Sequence, residues 1–478
     1  MRRPLTAALA TTAAIALAAP LTASGTAHAA APAAPRPPKA PVTDFNHDGY
    51  ADLAIAAPFA TVDGKAYAGY VAVVYGSKNG PDRAHPKVID RGTRGVPGKV
   101  EEDGTFATGL SAGDLDGDGF TDLVVASRYG DRAVALWGSK DGLTGASAEL
   151  PATSAGFTTG DFDGDGHRDL VSADYPANDE DEAGMTVSYG PFTRDGKPVR
   201  QDTIATSQTF GPVDFVSGDL NGDGVDDLVT SHGFEEVAYR SRFWPGTRHG
   251  LSKTTDRSVK SSLGGAVADV NGDGYGDFVT RDNGTNNDDN ESDKGTVRVD
   301  YGSADGPAAH RTAKITQDSA GVPGVGESGD QFGYDISAGD VDGDGYADVA
   351  VGVPGEDIGS GASRVRDAGA LVLLKGARGG LSGAGARAFD QSTAGVPGAS
   401  EAKDWFGHRV LLSDVNGDRR ADLTVTARGE DGAYENSGAA WVFRGAAGGL
   451  TATGVTSFGP KGLGAPERNA HFGQDTAR

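Results

Sequence analysis

The sequence contains no cysteine among its 478 residues, so disulfide bonds and thiolate metal sites are excluded. No segment repeats its apolar residues with a 3.6-residue period, which predicts almost no helix. Beyond the N-terminal stretch, no hydrophobic run is long enough to cross a membrane. The fold must therefore be built from β-strands and stabilised by groups other than thiols.

Basic residues are also scarce, since 43 lysines and arginines face 67 acidic residues and leave a formal charge of -24. This balance argues against nucleic acid or an anionic membrane surface as a partner. The sequence has no cluster of histidines at metal-ligand spacing. Of the nine histidines, His408 is the one we expect to be buried near the centre of the fold.

The N-terminus resembles a secretion signal. Two arginines precede a weakly apolar run, Leu5–Leu21, which is followed by small residues at 27–29. We therefore predict a signal peptide over 1–29, an extended Ala/Pro-rich linker over 30–41 and a folded domain over 42–478. The expected location is extracellular, with no retained membrane span.

One acidic motif organises the rest of the chain. In DVDGDGYAD, Asp340, Asp342, Asp344 and Asp348 supply carboxylates at positions 1, 3, 5 and 9, and a glycine at position 6 permits a sharp turn. The backbone carbonyl of Tyr346 adds an oxygen at position 7. Hard oxygen ligands at this density are typical of a Ca²⁺ site.

The motif occurs seven times, with Asn replacing Asp at position 3 in four copies. We predict one Ca²⁺ for each loop, up to seven in all, with side-chain ligands from positions 1, 3, 5 and 9 and a carbonyl from position 7. In the last loop Arg419 replaces the glycine of position 6 and makes that site the least regular. The predicted ligands are Asp44, Asn46, Asp48, Tyr50, Asp52, Asp114, Asp116, Asp118, Phe120, Asp122, Asp161, Asp163, Asp165, His167, Asp169, Asp219, Asn221, Asp223, Val225, Asp227, Asp269, Asn271, Asp273, Tyr275, Asp277, Asp340, Asp342, Asp344, Tyr346, Asp348, Asp414, Asn416, Asp418, Arg420 and Asp422.

The loops belong to a long repeat. An apolar strand follows each loop directly, as at 349–354, and a second strand ending near a glycine comes later, as at 370–376. With one strand before the loop and a short outer strand, each repeat has four strands. Seven such repeats predict an all-β, seven-bladed β-propeller, with an extended β-solenoid as the alternative.

The two ends of the chain complement each other. Phe332 and Phe406 each stand at the same distance before an acidic loop, but only the linker precedes the first loop at Asp44. Residues 471–478, HFGQDTAR, have the pattern of an inner strand with no loop after it. We predict that this C-terminal strand completes the first blade and closes the ring.

These motifs resemble the FG-GAP repeats of the integrin α-chain propeller and its bacterial relatives. The FG element stands at Phe332-Gly333, Phe406-Gly407 and Phe472-Gly473, and the proline that ends the following strand stands at Pro58 and Pro354. The resemblance covers the chain from about residue 42 to 478. It implies calcium in the loops between the first two strands of a blade, and adhesion or recognition as a common use.

The expected function is a secreted, calcium-binding recognition or adhesion module for an extracellular protein or glycan, acting as a monomeric propeller. Long insertions at 177–184, 281–295, 355–369 and 429–438 fall opposite the acidic loops and are the expected recognition loops. The alternative is a secreted hydrolase that cleaves polysaccharides or esters on the same scaffold, although no catalytic residues are assigned. A purely structural surface protein is a further alternative.

Overall fold

The computed structural model describes residues 43–478 except 128–131, 154–155, 175–182, 209–210, 235–236, 256, 283–292 and 309. The predicted signal peptide and linker, and most of the insertions at 177–184 and 281–295, lie outside the described residues. Within them, no helix is long and apolar enough to cross a membrane.

The described chain forms twenty-six strands, numbered here β1 to β26 in chain order. The only helices within the described ranges are two short 3₁₀ turns, Gly361–Ser363 and Pro460–Leu463. This agrees with the missing 3.6-residue period and confirms the all-β prediction.

The strands group into seven antiparallel sheets, which we call blades 1 to 7. Blade 1 contains β1 (Leu53–Ala57), β2 (Tyr70–Tyr75) and β3 (Asp82–Ile89). Blade 2 contains β4 (Leu110–Gly113), β5 (Asp122–Val125), β6 (Arg132–Leu136) and β7 (Ser147–Thr153). Blade 3 contains β8 (Phe157–Gly160), β9 (Asp169–Asp174), β10 (Ala183–Tyr189) and β11 (Arg200–Gln208). Blade 4 contains β12 (Pro212–Gly218), β13 (Asp227–Phe234) and β14 (Val237–Trp244).

The remaining three blades each have four strands in chain order. Blade 5 contains β15 (Ser262–Ala268), β16 (Asp277–Asp282), β17 (Val297–Asp300) and β18 (Thr312–Ile315). Blade 6 contains β19 (Ile336–Gly339), β20 (Asp348–Val353), β21 (Ala370–Leu374) and β22 (Arg387–Phe389). Blade 7 contains β23 (Phe406–Ser413), β24 (Asp422–Ala427), β25 (Ala439–Arg444) and β26 (Thr451–Phe458).

The C-terminal segment closes the ring as predicted. It lies antiparallel to β1, with an Ile55–Thr476 bridge. The Ala56 amide donates to the Asp475 carbonyl over 2.9 Å, and the Ala477 amide donates to the Ala54 carbonyl over 3.0 Å. The first blade therefore obtains its inner strand from the opposite end of the sequence.

The hydrophobic core lies between the blades. The second strand of a blade is covered on both faces by neighbouring sheets, so β1 and β20 are apolar without alternation and buried at every residue. The phenylalanines of the FG elements, Phe332, Phe406 and Phe472, are fully buried in three different interblade clusters. Each FG element thus anchors the entry to its inner strand within the core.

Antiparallel order gives the ring two faces. The acidic loops and the turns between third and fourth strands share one face, which we call the loop face. The connections between second and third strands, and the connectors between blades, share the other, which we call the connector face. Phe332 and Phe406 mark the connector face because Phe332 lies just before the inner strand β19 and Phe406 is the first residue of the inner strand β23.

A cavity of about 1130 Å³ is lined by the inner strands. Its polar wall is a charge-paired network in which Arg409 Nε donates to Asp475 over 3.1 Å and Arg478 contacts Asp335 at 2.5 Å. His408, in the adjoining β23, is buried as expected, and its Nε2 lies 3.4 Å from the Tyr334 hydroxyl.

Candidate functional site

Six of the seven acidic loops connect the inner strand of their blade to its second strand, whereas the first loop leads directly into β1. All seven loops share one backbone fold. The carboxylate of the first aspartate accepts the N–H of position 6 in every loop, as in Gly345 to Asp340 over 3.0 Å. The fifth-position carboxylate accepts the N–H of position 7 in every loop, as in Tyr346 to Asp344 over 3.1 Å. These bonds wrap the backbone around the carboxylates.

Position 6 requires a left-handed backbone. Gly345 has φ of +89°, and Arg419 adopts φ of +68° at the same position. The Arg419 amide still donates to Asp414 over 2.7 Å. The irregular seventh loop therefore keeps the fold of the other six at the cost of backbone strain.

The ninth-position aspartate is a buried clamp. In the first loop, Asp52 is fully buried and accepts the Phe45 amide over 2.8 Å and the Gly76 amide over 2.9 Å. Six of the seven ninth-position aspartates bind the position 2 amide in this way, and all seven bind a glycine amide that follows the third strand. This residue thus joins its loop to the rest of its blade.

Burial raises the pKa of these clamp aspartates. Desolvation disfavours the carboxylate, and the pKa reaches about 7 in Asp52 and Asp122, about 8 in Asp169 and Asp227, and about 6 in Asp348. These values include a smaller contribution from the other acidic groups of the same loop, which also raises the pKa. A divalent cation beside the loop would favour the charged form of these groups.

The loops are also bonded to one another around the ring. The position 8 amide of each loop donates to the position 1 carbonyl of the loop in the preceding blade, with N–O distances between 2.8 and 3.3 Å. The donors are Ala51, Thr121, Arg168, Asp226, Gly276, Ala347 and Ala421, and the acceptors are Asp414, Asp44, Asp114, Asp161, Asp219, Asp269 and Asp340 respectively. The first aspartate thus turns its side chain into its own loop and its carbonyl toward the next blade.

The donor sets of the loops fit Ca²⁺. In three loops the carboxylate oxygens approach one another within 4.8 Å: Asp114, Asp116 and Asp122 in blade 2, Asp161, Asp163 and Asp169 in blade 3, and Asp340, Asp342 and Asp344 in blade 6. The four other loops carry Asn at position 3. Its side-chain nitrogen donates to the clamp aspartate in three of them, as in Asn416 to Asp422 over 2.8 Å. The Asn oxygen is the atom that would serve a cation.

Basic side chains contact the position 3 carboxylates in the three all-aspartate loops. Arg194 pairs with Asp116, and Lys375 pairs with Asp342. Arg200 pairs with Asp163 over 2.9 Å. The sequence motif did not reveal these residues, because they lie near the turn between the third and fourth strands. Each basic side chain partly neutralises a loop that has Asp at position 3, and so carries one carboxylate more than the loops with Asn there.

The fold and the loops define the class of protein: a seven-bladed β-propeller with one aspartate-rich loop per blade. Family comparison agrees with this class. The FG-GAP repeat matches residues 39–74, 332–374 and 406–443, and the FG-GAP-like repeat matches 114–172 and 161–230. The chain thus contains FG-GAP repeats.

Two curated relatives match parts of the chain. Integrin alpha-PS5 of Drosophila melanogaster is 40% identical over 97 residues, which is 20% of this chain and 9% of the integrin. Phosphatidylinositol-glycan-specific phospholipase D of Bos taurus is 29% identical over 112 residues, which is 22% of this chain and 13% of that enzyme. The chain therefore matches only a small part of the length of each.

A solved structure, the exotype rhamnogalacturonan lyase YesX, aligns with 83% of this chain and 67% of its own chain. The TM-score is 0.30 and the sequence identity 15%. At this TM-score the likeness carries no argument about activity.

Proposed function

We propose that the protein is an extracellular recognition module that binds a protein or glycan on its connector face, on a scaffold stabilised by calcium in the seven acidic loops. The resemblance to an integrin α-chain is compatible with this role but covers only a part of either protein.

The observation that carries the proposal is the uneven distribution of exposed apolar side chains. Of the six large apolar side chains that are exposed in the described residues, three lie in loops of the connector face: Tyr67, Val325 and Tyr434. Two more, Val213 and Tyr239, lie near the connector-face ends of β12 and β14. Exposed tyrosines are typical of binding surfaces, because they combine a large apolar area with a polar group.

Two of these tyrosines stand on neighbouring blades. Tyr67 packs edge-on against Phe59, which in turn meets His471 with ring centroids 5.6 Å apart. The His471 amide donates to the Asn436 carbonyl over 3.0 Å, in the loop that carries Tyr434. A chain of contacts thus joins the loops of blades 1 and 7 into one surface.

Calcium has a supporting role in this proposal. The inter-loop hydrogen bonds lie on the loop face, so cations there would stiffen the ring from the side opposite the binding surface. Ligands that bind only the folded state add stability by mass action, which suits an exported chain without disulfides.

A secreted hydrolase is the second candidate. It is supported only by the partial match to a phospholipase D, and no catalytic constellation is assigned among the described residues. The same experiment distinguishes the two roles, because binding retains a ligand and hydrolysis releases a product.

The test is binding of residues 42–478 to an array of cell-wall and plant glycans, with calcium and with chelator, scoring retention and release. We expect retention that the double variant Tyr67→Ser/Tyr434→Ser loses. The control is Val199→Ser, which removes the exposed apolar residue of the loop face. Release of sugars would favour the hydrolase. If no glycan on the array is bound, a protein becomes the expected partner. If the double variant binds as well as the Val199→Ser control, the proposed binding surface is contradicted.

A further inference from the structure

A second group of acidic residues lies on the connector face of blade 7, away from the seven loops. Glu401 and Asp404 stand in the connector that enters the blade, and Glu430 follows its second strand, β24. Gln391 follows β22 of the preceding blade. We call these four residues the blade 7 connector cluster.

Short hydrogen bonds hold this cluster together. Gln391 Nε2 donates to Glu430 Oε2 over 2.6 Å, and the Glu401 amide donates to Asp404 Oδ2 over 2.6 Å. The Gly429 amide donates to the Asp404 carbonyl over 3.0 Å. The connector and the loop after β24 are therefore fixed against each other.

The glutamine has a buried oxygen without a partner. Gln391 is only 1% exposed, and its Oε1 accepts no hydrogen bond. A buried amide oxygen left unsatisfied costs roughly 1–3 kcal/mol, so such groups are normally paired. Because the Nε2 of the same amide is bonded to Glu430, the unpaired oxygen lies beside the acidic group.

Blade 6 repeats this arrangement. Gln317 Nε2 donates to Glu356 Oε2 over 2.6 Å, and the Glu327 amide donates to Asp330 Oδ2 over 2.5 Å. Gln317 is 4% exposed, and its Oε1 again has no partner. We call Gln317, Glu327, Asp330 and Glu356 the blade 6 connector cluster. Two independent copies of an unpaired buried oxygen indicate a common missing partner.

Blade 2 carries a cationic side chain at the sequence position of the two glutamines. Arg91 precedes Phe106 by the same spacing as Gln391 precedes Phe406, and glycine replaces the aspartate at 104. The Arg91 guanidinium lies against Gly98, just as the amide groups of the two glutamines lie against the matching glycines. It donates to the Pro97 carbonyl over 2.6 Å and to the Ser127 hydroxyl over 2.8 Å. Blade 2 thus lacks the aspartate of the other two clusters and carries a cationic side chain in place of the glutamine.

The charge of the clusters agrees with this comparison. Within the described part of the chain, no basic side chain forms an ion pair with Glu401, Asp404 or Glu430. Burial, together with the neighbouring carboxylates, raises the pKa of Asp404 to about 7. In blade 6, Arg364 pairs with Glu327 over 2.6 Å, at the exposed edge. Burial raises the pKa of Asp330 to about 6, and the nearby Lys294 ammonium group offsets a part of this increase.

We propose that each connector cluster binds one divalent cation of the calcium class, through Asp404, Glu430 and Gln391 Oε1 in blade 7, and through Asp330, Glu356 and Gln317 Oε1 in blade 6. The donors are all hard oxygens, as Ca²⁺ requires, and water supplies the rest of its shell. These two sites are separate from the seven acidic loops and from the glycan or protein ligand proposed above.

The first test counts bound calcium by equilibrium dialysis and metal analysis. The double variant Glu356→Gln/Glu430→Gln should bind two fewer ions than the parent chain, with an unchanged circular dichroism spectrum. The matched control is Glu101→Gln in blade 2, which should bind the same number as the parent. An unchanged count in the double variant would overturn the proposal, even if all seven loops bind calcium.

The second test introduces the guanidinium of blade 2 into blade 7. Gln391→Arg should bind one ion fewer than the parent and should melt at a higher temperature than the parent in chelator, because the arginine replaces the cation. Gln391→Met is the comparison that removes the amide without adding charge, and it should not gain stability in chelator. An undiminished ion count in Gln391→Arg would contradict a cation at this position.

Discussion

The backbone amide of Ala51 donates to the carbonyl oxygen of Asp414 over 3.0 Å. This bond joins the first acidic loop of the sequence to the last and completes a circuit of seven equivalent bonds. The acceptor carbonyl belongs to a predicted cation ligand. Cation binding in one loop would therefore also affect the position of the neighbouring loop. The same residues thus belong to a predicted cation site and take part in the closure of the ring.

Ring closure by the C-terminus predicts that Phe472 is needed for stability. Phe472 is fully buried in the core cluster shared by blades 1 and 7. Phe472→Ala should lower the free energy of unfolding by roughly 3–5 kcal/mol, measured by denaturant titration. Tyr434→Ala, at an exposed residue, should change it by about 0.5 kcal/mol or less. Removal of residues 471–478 should lower the melting temperature markedly, and an unchanged melt would contradict closure by this segment.

The buried clamp predicts unequal effects for two aspartates of one loop. Asp348→Asn places an amide group against the Gly376 or Val341 N–H, which costs roughly 1–3 kcal/mol in chelator. Asp344→Asn keeps an oxygen for the Tyr346 amide and should cost less under the same conditions. Denaturant titration of both variants checks the difference. Equal losses would argue against a structural role for position 9.

The strained residue of the seventh loop predicts a stabilising substitution. Arg419→Gly removes the left-handed strain and should raise the free energy of unfolding by about 1 kcal/mol, reduced in part by the added freedom of the unfolded chain. Gly345→Ala is the reverse test, because φ is +89° there and open space surrounds the new side chain. It should destabilise the protein through strain alone. A neutral Gly345→Ala would refute this reading of position 6.

Lys375 predicts how affinity differs among the loops. Its ammonium group contacts Asp342 and lies 3.3 Å from Asp344, so it competes with a cation for the same charge. Lys375→Met should raise the calcium affinity of this loop several-fold, as measured by calorimetry. Lys140→Met removes a lysine that pairs with Asp141 outside the loops and should leave the affinity unchanged. Weaker binding in Lys375→Met would contradict competition.

His408 predicts a loss of stability in acid. Burial and the nearby Arg409 and Arg428 guanidinium groups hold its pKa well below the ordinary 6.5. The unfolded chain therefore takes up a proton below about pH 6.5 that the folded chain does not, and stability falls as pH decreases through that range. His408→Gln should flatten the fall between pH 7 and 5 relative to His85→Gln, which alters an exposed histidine. Parallel pH profiles would contradict this assignment.

Much of the fold was readable from the sequence because its signals are repeated. The seven loops set the number of blades, and the spacing of Phe332 and Phe406 before their loops identified the C-terminal strand. The missing glycine at Arg419 also identified the seventh loop as the least regular one. These features depend on short stretches of chain, where spacing determines geometry.

The unpredicted features depend on contacts between distant segments. Arg200 reaches Asp163 across its blade, and no motif spacing connects the two. The hydrogen bonds between loops use backbone groups, so the residue types do not indicate them. The role proposed for Gln391 likewise depends on its contact with Glu430. This contact forms only when the fold brings the connector and the loop after β24 together.

Thermal unfolding with and without calcium tests the central claim most directly. The measurement compares about 1 mM Ca²⁺, a concentration suited to extracellular sites, with excess chelator. It should be made in the Glu356→Gln/Glu430→Gln background so that the effect belongs to the seven loops. A calcium-stabilised ring predicts a higher melting temperature with calcium, whereas coincident melts would contradict cation binding by the acidic loops.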